Sequence, residues 1–425
     1  MLGVALLVGA IARWLLLPVQ SGDFHAFMDG WYTHLAQDGF SGLADDFSNY
    51  NTPYLVLLWA ATKLPLPELY AIKALSVVFD GLLVYFSYRI VRLARPGSRW
   101  WPVGAASAVA LLPTVVMNGA AWAQCDAIYA SLLLGSLSFL MERRLAWAAG
   151  LFGLAFAFKL QAVFFLPVLG LVVLLNRLRW RGLLAVPATF FAALVPAALA
   201  GRGLADQLRV YPEQVGNASG AVASTRSGGA PEAFGRQLGL DGGPPSISGG
   251  GDGGGSVWTG HAFTYNAPTP YAWLPADAGE IWKATGIGVA VAVGVTFAVW
   301  LLLRRRRLAP SDVVLVAAAV TFVVPWLLPE MHERYFYLAE VLLVVAVAVV
   351  PRLVIPALCL EAASVTTYVG YLRGVEILPL ETSAALAAVA AVSTAVLVVA
   401  RLAQDGAPPP VDAVRRLPAP VPAVP

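Results

Sequence analysis

Residues 312–350 read DVVLVAAAVTFVVPW, then LLPEMHERYFYLAE, then VLLVVAVAVV. Two apolar runs flank a turn that carries Glu330, His332, Glu333, Arg334 and Glu340. Crossing a hydrocarbon layer takes about 20 apolar residues per helix, and runs of that kind recur along the chain. Of 425 residues, 59% are hydrophobic and 12% charged. A soluble chain carries roughly 25% charged residues, so these charges are too few to cover a globular surface. The expected fold is an all-α polytopic membrane protein with about 12 transmembrane helices and interfacial helices in its first loop. Net charge, +3, decides little, because the placement of the charges matters more. Cys125 and Cys359 lie too far apart in sequence to suggest a disulfide framework or a metal cluster.

The expected spans are 2–19, 67–91, 101–117, 126–141, 145–159, 162–176, 182–200, 281–303, 311–328, 335–350, 353–370 and 382–400. Arginine marks alternate connections: Arg89, Arg92, Arg95 and Arg99; Arg143 and Arg144; Arg177, Arg179 and Arg181; Arg304 to Arg307; Arg352; and Arg401. Short loops rich in Lys and Arg stay in the cytoplasm, and both termini inside satisfies every cluster. The stretch PYLVLLWAATKL (53–64) is too short to span, and counting it would invert the alternation. It is expected to form a re-entrant or interfacial helix on the outer face. Before it, DFHAFMDGWYTHLAQDG (23–39) sets Phe24, Phe27, Trp31 and Leu35 at helical spacing among polar partners, the pattern of a helix lying in the interface.

Four regions follow: an N-terminal membrane module, 1–200, with its first outer loop at 20–66; a long extracytoplasmic loop, 201–280; C-terminal membrane helices, 281–401; and a Pro-rich cytoplasmic tail, 402–425, expected to be disordered. Residues 226–256 include DGGPPSISGGGDGGGS, a composition that cannot bury a core and should be flexible. The aromatic stretch HAFTYNAPTPYAWLP (261–275) is expected to pack against the membrane face. The sequon at Asn217 carries no weight.

On this topology the polar residues gather on one side: Asp23, His25, Asp29, Asp45, Asp46, Asn49, Asn51, Gln124, Asp126, Lys159, Gln161, Glu330, His332, Glu333 and Arg334. Lys159 and Gln161, in FAFKLQAVFF, join two spans through a turn with almost no room for a water-exposed loop. A polar pair there argues for an outward-facing, water-filled cavity. Plainer readings stand beside each residue. His332 to Arg334 could be a solvated loop with a salt bridge, Lys159 could snorkel to the headgroups, Asp126 could cap the following span, and Asp45 and Asp46 could be ordinary loop acids. Asp80, mid-span in VVFDGLLVY, is expected to pair with another helix or with Lys73. His25, His34, His261 and His332 lack metal-ligand spacing, and no Gly-rich phosphate loop follows a strand. No cofactor is indicated, and the acids are compatible with a divalent ion without requiring one.

The stretches SGDF (21–24), SNYNTPYLVLLWAATKLP (48–65), AIKALSVVFD (71–80), WAQCDAIYA (122–130), FKLQAVF (158–164), NAPTPYAWL (266–274) and MHERYF (331–336) together resemble the GT-C superfamily of integral membrane glycosyltransferases. Within it they are similar to the bacterial group resembling the GPI mannosyltransferase II family. Thr52 stands where that group usually has proline and Ala123 where it has glycine; neither change removes a reactive group. The segment before the first span is short for the group, which is compatible with a truncated or misassigned start.

The resemblance implies that Asp23 is the general base, activating an acceptor hydroxyl for inverting transfer of a sugar, with mannose as the family's suggestion. Nucleotide-activated substrates are cytoplasmic, so chemistry on the outer face needs a donor carried in the membrane, and a polyprenyl-phosphate sugar meets that need. Lys159, Arg334 and His332 are assigned to its phosphate. Gln124, Asp126 and Glu333 are assigned to orienting sugar hydroxyls or holding Arg334, Gln161 and Asn51 to sugar or acceptor binding, and Asp45 and Asp46 to the acceptor side. The acceptor is a lipid, a glycan or a protein, and nucleic acid is no partner. The expected location is a bacterial cytoplasmic membrane with the site on the extracytoplasmic face. A lipid-linked sugar transporter or flippase, and a lipid-linked glycan polymerase, are the rival readings.

Overall fold

The computed structural model describes residues 1–214, 263–275, 277–304 and 306–404. The expectations for 226–256, for Asn217 and His261, and for the tail beyond residue 404 lie outside the described residues. The fold is all-α and polytopic, as bilayer chemistry requires of a chain whose backbone polar groups must be satisfied within each segment.

Among the described residues, six helices are long and apolar enough to cross a membrane: Glu68–Ala94, Trp180–Ala200, Ile281–Leu303, Pro310–Leu327, Pro351–Arg373 and Leu380–Ala403. Trp100–Leu111 and Pro113–Ala120, joined with a 44° bend, are apolar enough together to form either a seventh, broken span or a re-entrant loop. Pro113 lacks an N–H, and its ring drives Leu112 to extended backbone, which breaks the helix there. The count of twelve therefore does not carry over. Leu2–Leu16, Asp126–Met141, Leu145–Phe158 and Leu160–Leu175 are apolar but shorter. The 16 residues of Asp126–Met141 rise about 24 Å, short of the ~30 Å hydrocarbon core. That helix is buried along nearly its whole length, so protein rather than lipid surrounds it and its ends need not reach both headgroup layers.

Packing separates lipid-facing from core helices. Trp180–Ala200 and Ile281–Leu303 expose Phe191, Val195, Leu199, Val291 and Val295, an apolar surface suited to acyl chains. Leu145–Phe158 approaches Ala185–Ala200 at Gly153, where a Cβ would lie 2.3 Å from the Val186 carbonyl oxygen. Only glycine permits that closeness, the small-residue packing common between membrane helices. Asp80 pairs with another helix: Arg13 Nε donates to its Oδ2 at 2.8 Å, and the same guanidinium bonds the Gly9 and Ala110 carbonyls. Lys73 instead donates to the Leu17 and Val19 carbonyls, neutralising the C-terminal end of the first helix.

The two ends of the bundle differ in chemistry. At one, Arg89 bonds Glu142 at 2.7 Å, Arg143 bonds the Asn176 carbonyl at 2.9 Å, and Arg304 bonds the Ala403 carbonyl at 3.2 Å. Asn176 also ties to Leu308 in both directions, at 3.2 and 2.8 Å. The arginine-marked connections thus converge. At the other end, Thr264 and Tyr265 pair in parallel with Met331 and His332, seating the 263–275 stretch on the MHERYF turn.

The first loop folds at that second end. Asp23 precedes one wide turn, closed by the Asp29 N–H on the Phe24 carbonyl, which leads into Asp29–Asp38. The buried residues are Phe24, Met28, Trp31 and Leu35. The wide turn shifts Phe27 off the core stripe that even helical spacing gives it. The 53–64 stretch forms the ten-residue helix Thr52–Ala61, capped by Asn51, whose Oδ1 accepts from the Thr52 N–H.

Candidate active site

Asp23 lies at the meeting point of four chain segments. Its Oδ2 accepts from Trp122 Nε1 at 2.9 Å, from Gln124 Nε2 at 2.5 Å and from Arg334 at 3.3 Å. Its Oδ1 accepts from the Tyr371 hydroxyl. A carboxylate offers about four lone-pair positions. Three donors crowd Oδ2 while Oδ1 takes one, so Oδ1 keeps an open acceptor position.

The loop between Pro113–Ala120 and Asp126–Met141 is built to present Trp122 and Gln124. The Ser21 hydroxyl holds the Trp122 carbonyl at 2.7 Å, and the Ser76 hydroxyl holds that of Gln124. Between them Ala123 adopts φ +66°, the left-handed region that disfavours a Cβ, which accounts for the glycine usual there in the resembling group. Trp122 stacks on Tyr371 with ring centres 4.5 Å apart, and Arg334 sits 5.5 Å from the Trp122 ring. Tyr50 donates to Gln124 Oε1 at 3.1 Å.

A cavity of about 60 Å³ opens beside Asp23. Asp23, Asn49, Gln124 and Arg334 supply its polar wall; Phe27, Met28, Trp31 and Tyr50 supply the aromatic and apolar one. A water needs roughly 10–15 Å³ on this measure, so the space suits a few waters and is too small for a hexose.

A second charge cluster adjoins the first. Lys159 Nζ lies 2.5 Å from Asp126 Oδ1, with the two side chains 7% and 1% exposed. Asn118 donates to the other Asp126 oxygen at 2.9 Å. The Tyr50 ring, 5.7 Å from Lys159, links the two clusters.

The MHERYF turn brings three further groups. His332 stacks on Tyr265 with ring centres 4.6 Å apart. Burial, then the Arg334 and Lys159 charges, hold its pKa well below the ordinary imidazole value, so it is neutral. Burial pushes Glu333 up to about 7 against the pull of Arg334, 3.9 Å away. Arg334 itself stays charged: burial works against the guanidinium, and Asp23, Tyr50, Glu333 and Asp126 together outweigh it. Its Nε is buried without a partner, a donor held in reserve.

Asp23, Gln124, Asp126, Lys159, His332, Glu333 and Arg334 thus come together. Gln161 follows Lys159 in the same turn with its Oε1 buried and unpartnered, but it does not line the cavity. Asp45, Asp46 and Asn51 are engaged elsewhere. Asp45 meets His34 Nε2 at 3.2 Å, and Asp46 bonds Arg202 at 2.6 Å with its own side chain 80% exposed. Asn51 caps a helix and donates to the Ala157 carbonyl at 2.9 Å. His34, Asp38 and Asp45 set three ligand-type atoms within 4.8 Å of one another. The two imidazole nitrogens face different carboxylates, Asp38 and Asp45, whose side chains are 53% and 59% exposed, and exposed acidic groups of this kind are common without an ion. Reasoning from sequence did not single out Trp122, Tyr371 or Tyr50. Trp122 opens the WAQCDAIYA stretch, which was the available signal; Tyr371 had none.

Fold and site together define a polytopic membrane protein with a carboxylate–guanidinium centre enclosed at one end of its bundle. Residues 47–274, more than half of the chain, match the model of Glycosyltransferase family 87, and the chain belongs to that family, a GT-C-type family of membrane glycosyltransferases. The match supports the class and not the mannosyltransferase II detail. No curated protein matches the chain. The matched region contributes Trp122, Gln124, Asp126 and Lys159, while Asp23, Arg334 and Tyr371 enter from outside it.

Proposed function

We propose that the chain transfers a mannosyl group from a polyprenyl-phosphate donor to a hydroxyl on an extracytoplasmic lipid, glycan or protein acceptor, with inversion. The observation that carries this reading is the open acceptor position on Asp23 Oδ1 beside Arg334 in a shared cavity. In this mechanism Asp23 takes the acceptor proton as the hydroxyl oxygen attacks the anomeric carbon. The bond from that carbon to the phosphate oxygen breaks, and its electron pair leaves with prenyl phosphate. Arg334 makes the longest of the contacts to Asp23, so it is the donor most readily turned toward the phosphate. Lys159, with two of its three N–H donors not spent on Asp126, and neutral His332 serve the same phosphate. Gln124 and Glu333 orient sugar hydroxyls.

The site is assigned to the extracytoplasmic face of a bacterial cytoplasmic membrane. The arginine-rich connections at the opposite end of the bundle support that orientation. The test uses protein in lipid nanodiscs with radiolabelled short-chain prenyl-phosphate mannose, comparing wild type with Asp23→Asn. Turnover that vanishes while donor binding survives supports the reading. Donor moved across the bilayer without bond cleavage would sink it in favour of transport.

A further inference from the structure

Glu340 takes no part in the site above, although it closes the charged stretch around MHERYF. It lies on Tyr337–Val347, inside the bundle and 2% exposed, and neither buried carboxyl oxygen has a partner within 3.5 Å, although the Ser364 and Thr114 side chains face it as donors. It faces Glu361 on the Val354–Arg373 helix, itself 9% exposed. Neither acid forms an ion pair among the described residues. Around Glu340 lie Thr114, Ser364 and Tyr368, with Asp126 and Tyr129 on the next helix. The Ser364 and Tyr368 hydroxyls are likewise buried and unpartnered. Two ionised carboxylates facing each other in a water-poor interior, with no cation beside them, would repel and would both lack solvation.

The two acids are not equivalent. Glu361 accepts from the Thr114 N–H at 2.9 Å and from its hydroxyl at 3.0 Å. Thr114 stands in the first turn of Pro113–Ala120, the helix that starts at the Pro113 break inside the bundle. Glu361 therefore has the positive end of a helix and two donors, the surroundings that favour a carboxylate. Glu340 has orphaned acceptors and an acidic neighbour, the surroundings that favour a carboxylic acid.

We infer that Glu340 and Glu361 form an occluded proton-binding site, in which Glu340 carries the proton and Glu361 is the carboxylate held at the broken helix. The site is separate from the proposed transfer chemistry and does not rest on it. One face of the Val354–Arg373 helix joins the two centres: Glu361, Ser364, Tyr368 and Tyr371 follow at helical spacing, and Tyr371 ends that row on Asp23.

The experiment is infrared spectroscopy of the full chain in nanodiscs, in buffer roughly three units above the ordinary glutamate pKa of about 4.3. With Glu333, which titrates near 7, replaced by glutamine in every sample, the otherwise wild-type chain is expected to keep the carbonyl stretch of a protonated carboxylic acid. Glu340→Gln should abolish it, whereas Glu361→Gln should retain it at a shifted frequency. A lipophilic carbodiimide, which reacts with protonated carboxyls, gives a second readout on wild type, with the adduct mapped to Glu340 by peptide mass. Absence of both band and adduct would overturn the proposal. So would an adduct on Glu361 alone, or a band and adduct that sodium ions remove, since the pair would then hold a metal cation.

Discussion

The two ends of the bundle use the same residue types to different effect. At the arginine end, Arg89 and Glu142 meet with side chains about a quarter exposed, and Arg144 is half exposed. Partly solvated pairs of this kind contribute about 0–1 kcal/mol. At the other end, Asp23 and Arg334 are 13% and 16% exposed, and Asp126 and Lys159 are deeper still. Enclosing charge costs several kcal/mol per ion before any pairing is counted. A chain spends that where chemistry needs charge away from water. Orientation in the bilayer can be written in replaceable arginines, whereas the site cannot.

The sharpest way to break this contrast is to neutralise one charge at each end. Asp23→Asn should cut sugar transfer by ~10²–10⁴, the range for a positioned base, with the melting temperature kept. Arg89→Gln should leave the rate unchanged, and equal losses would erase the distinction. Next in size is the Asp126–Lys159 pair. Lys159→Met should destabilise by about 3–5 kcal/mol by stranding a buried carboxylate, and adding Asp126→Leu should restore much of that in thermal melts. Glu142→Gln should cost about 1 kcal/mol or less.

Tyr371→Phe removes one donor to a carboxylate, worth about 1.5–3 kcal/mol. It should lower kcat roughly tenfold to a hundredfold with little change in KM. Glu333 sharpens the contrast through pH. Its folded pKa, about 7, stands above the ordinary 4.5, so the folded state binds the proton more tightly. Stability is therefore fully present below about 4.5, declines as pH rises toward 7, and is level beyond. Melting followed across that window should show the slope in wild type and lose it in Glu333→Gln. The smallest effect belongs to Ala123→Gly. Relief of roughly 1 kcal/mol of left-handed strain, partly offset by glycine's backbone entropy, should raise the melting temperature slightly and leave transfer intact.

Sequence carried the class and the centre of the site further than the architecture. Apolar runs and alternating arginines were enough for a polytopic helical protein, and one-sided polarity was enough to group Asp23, Gln124 and Arg334. The count of twelve spans is not confirmed, because hydropathy cannot tell a lipid-solvated helix from one such as Asp126–Met141, which protein surrounds. Trp122 and Tyr371 escaped notice because aromatics in a membrane chain ordinarily read as interfacial belts. Asp45, Asp46 and Asn51 share the first loop with Asp23, yet membership of a loop says nothing about direction. Asn51 is committed to a helix cap and a carbonyl, a role visible only once Ala157 lies beside it.

The 60 Å³ cavity has a consequence for how such a protein would handle a reactive donor. The space beside Asp23 has room for waters only, so a sugar seated there selects a more open form, and the measured affinity is multiplied by the fraction of molecules that are open. Holding that fraction low trades tightness for safety. A donor that can lodge only while the Phe27 and Trp31 wall is displaced meets bulk water for a small part of each cycle, and its energy-rich linkage is spared hydrolysis.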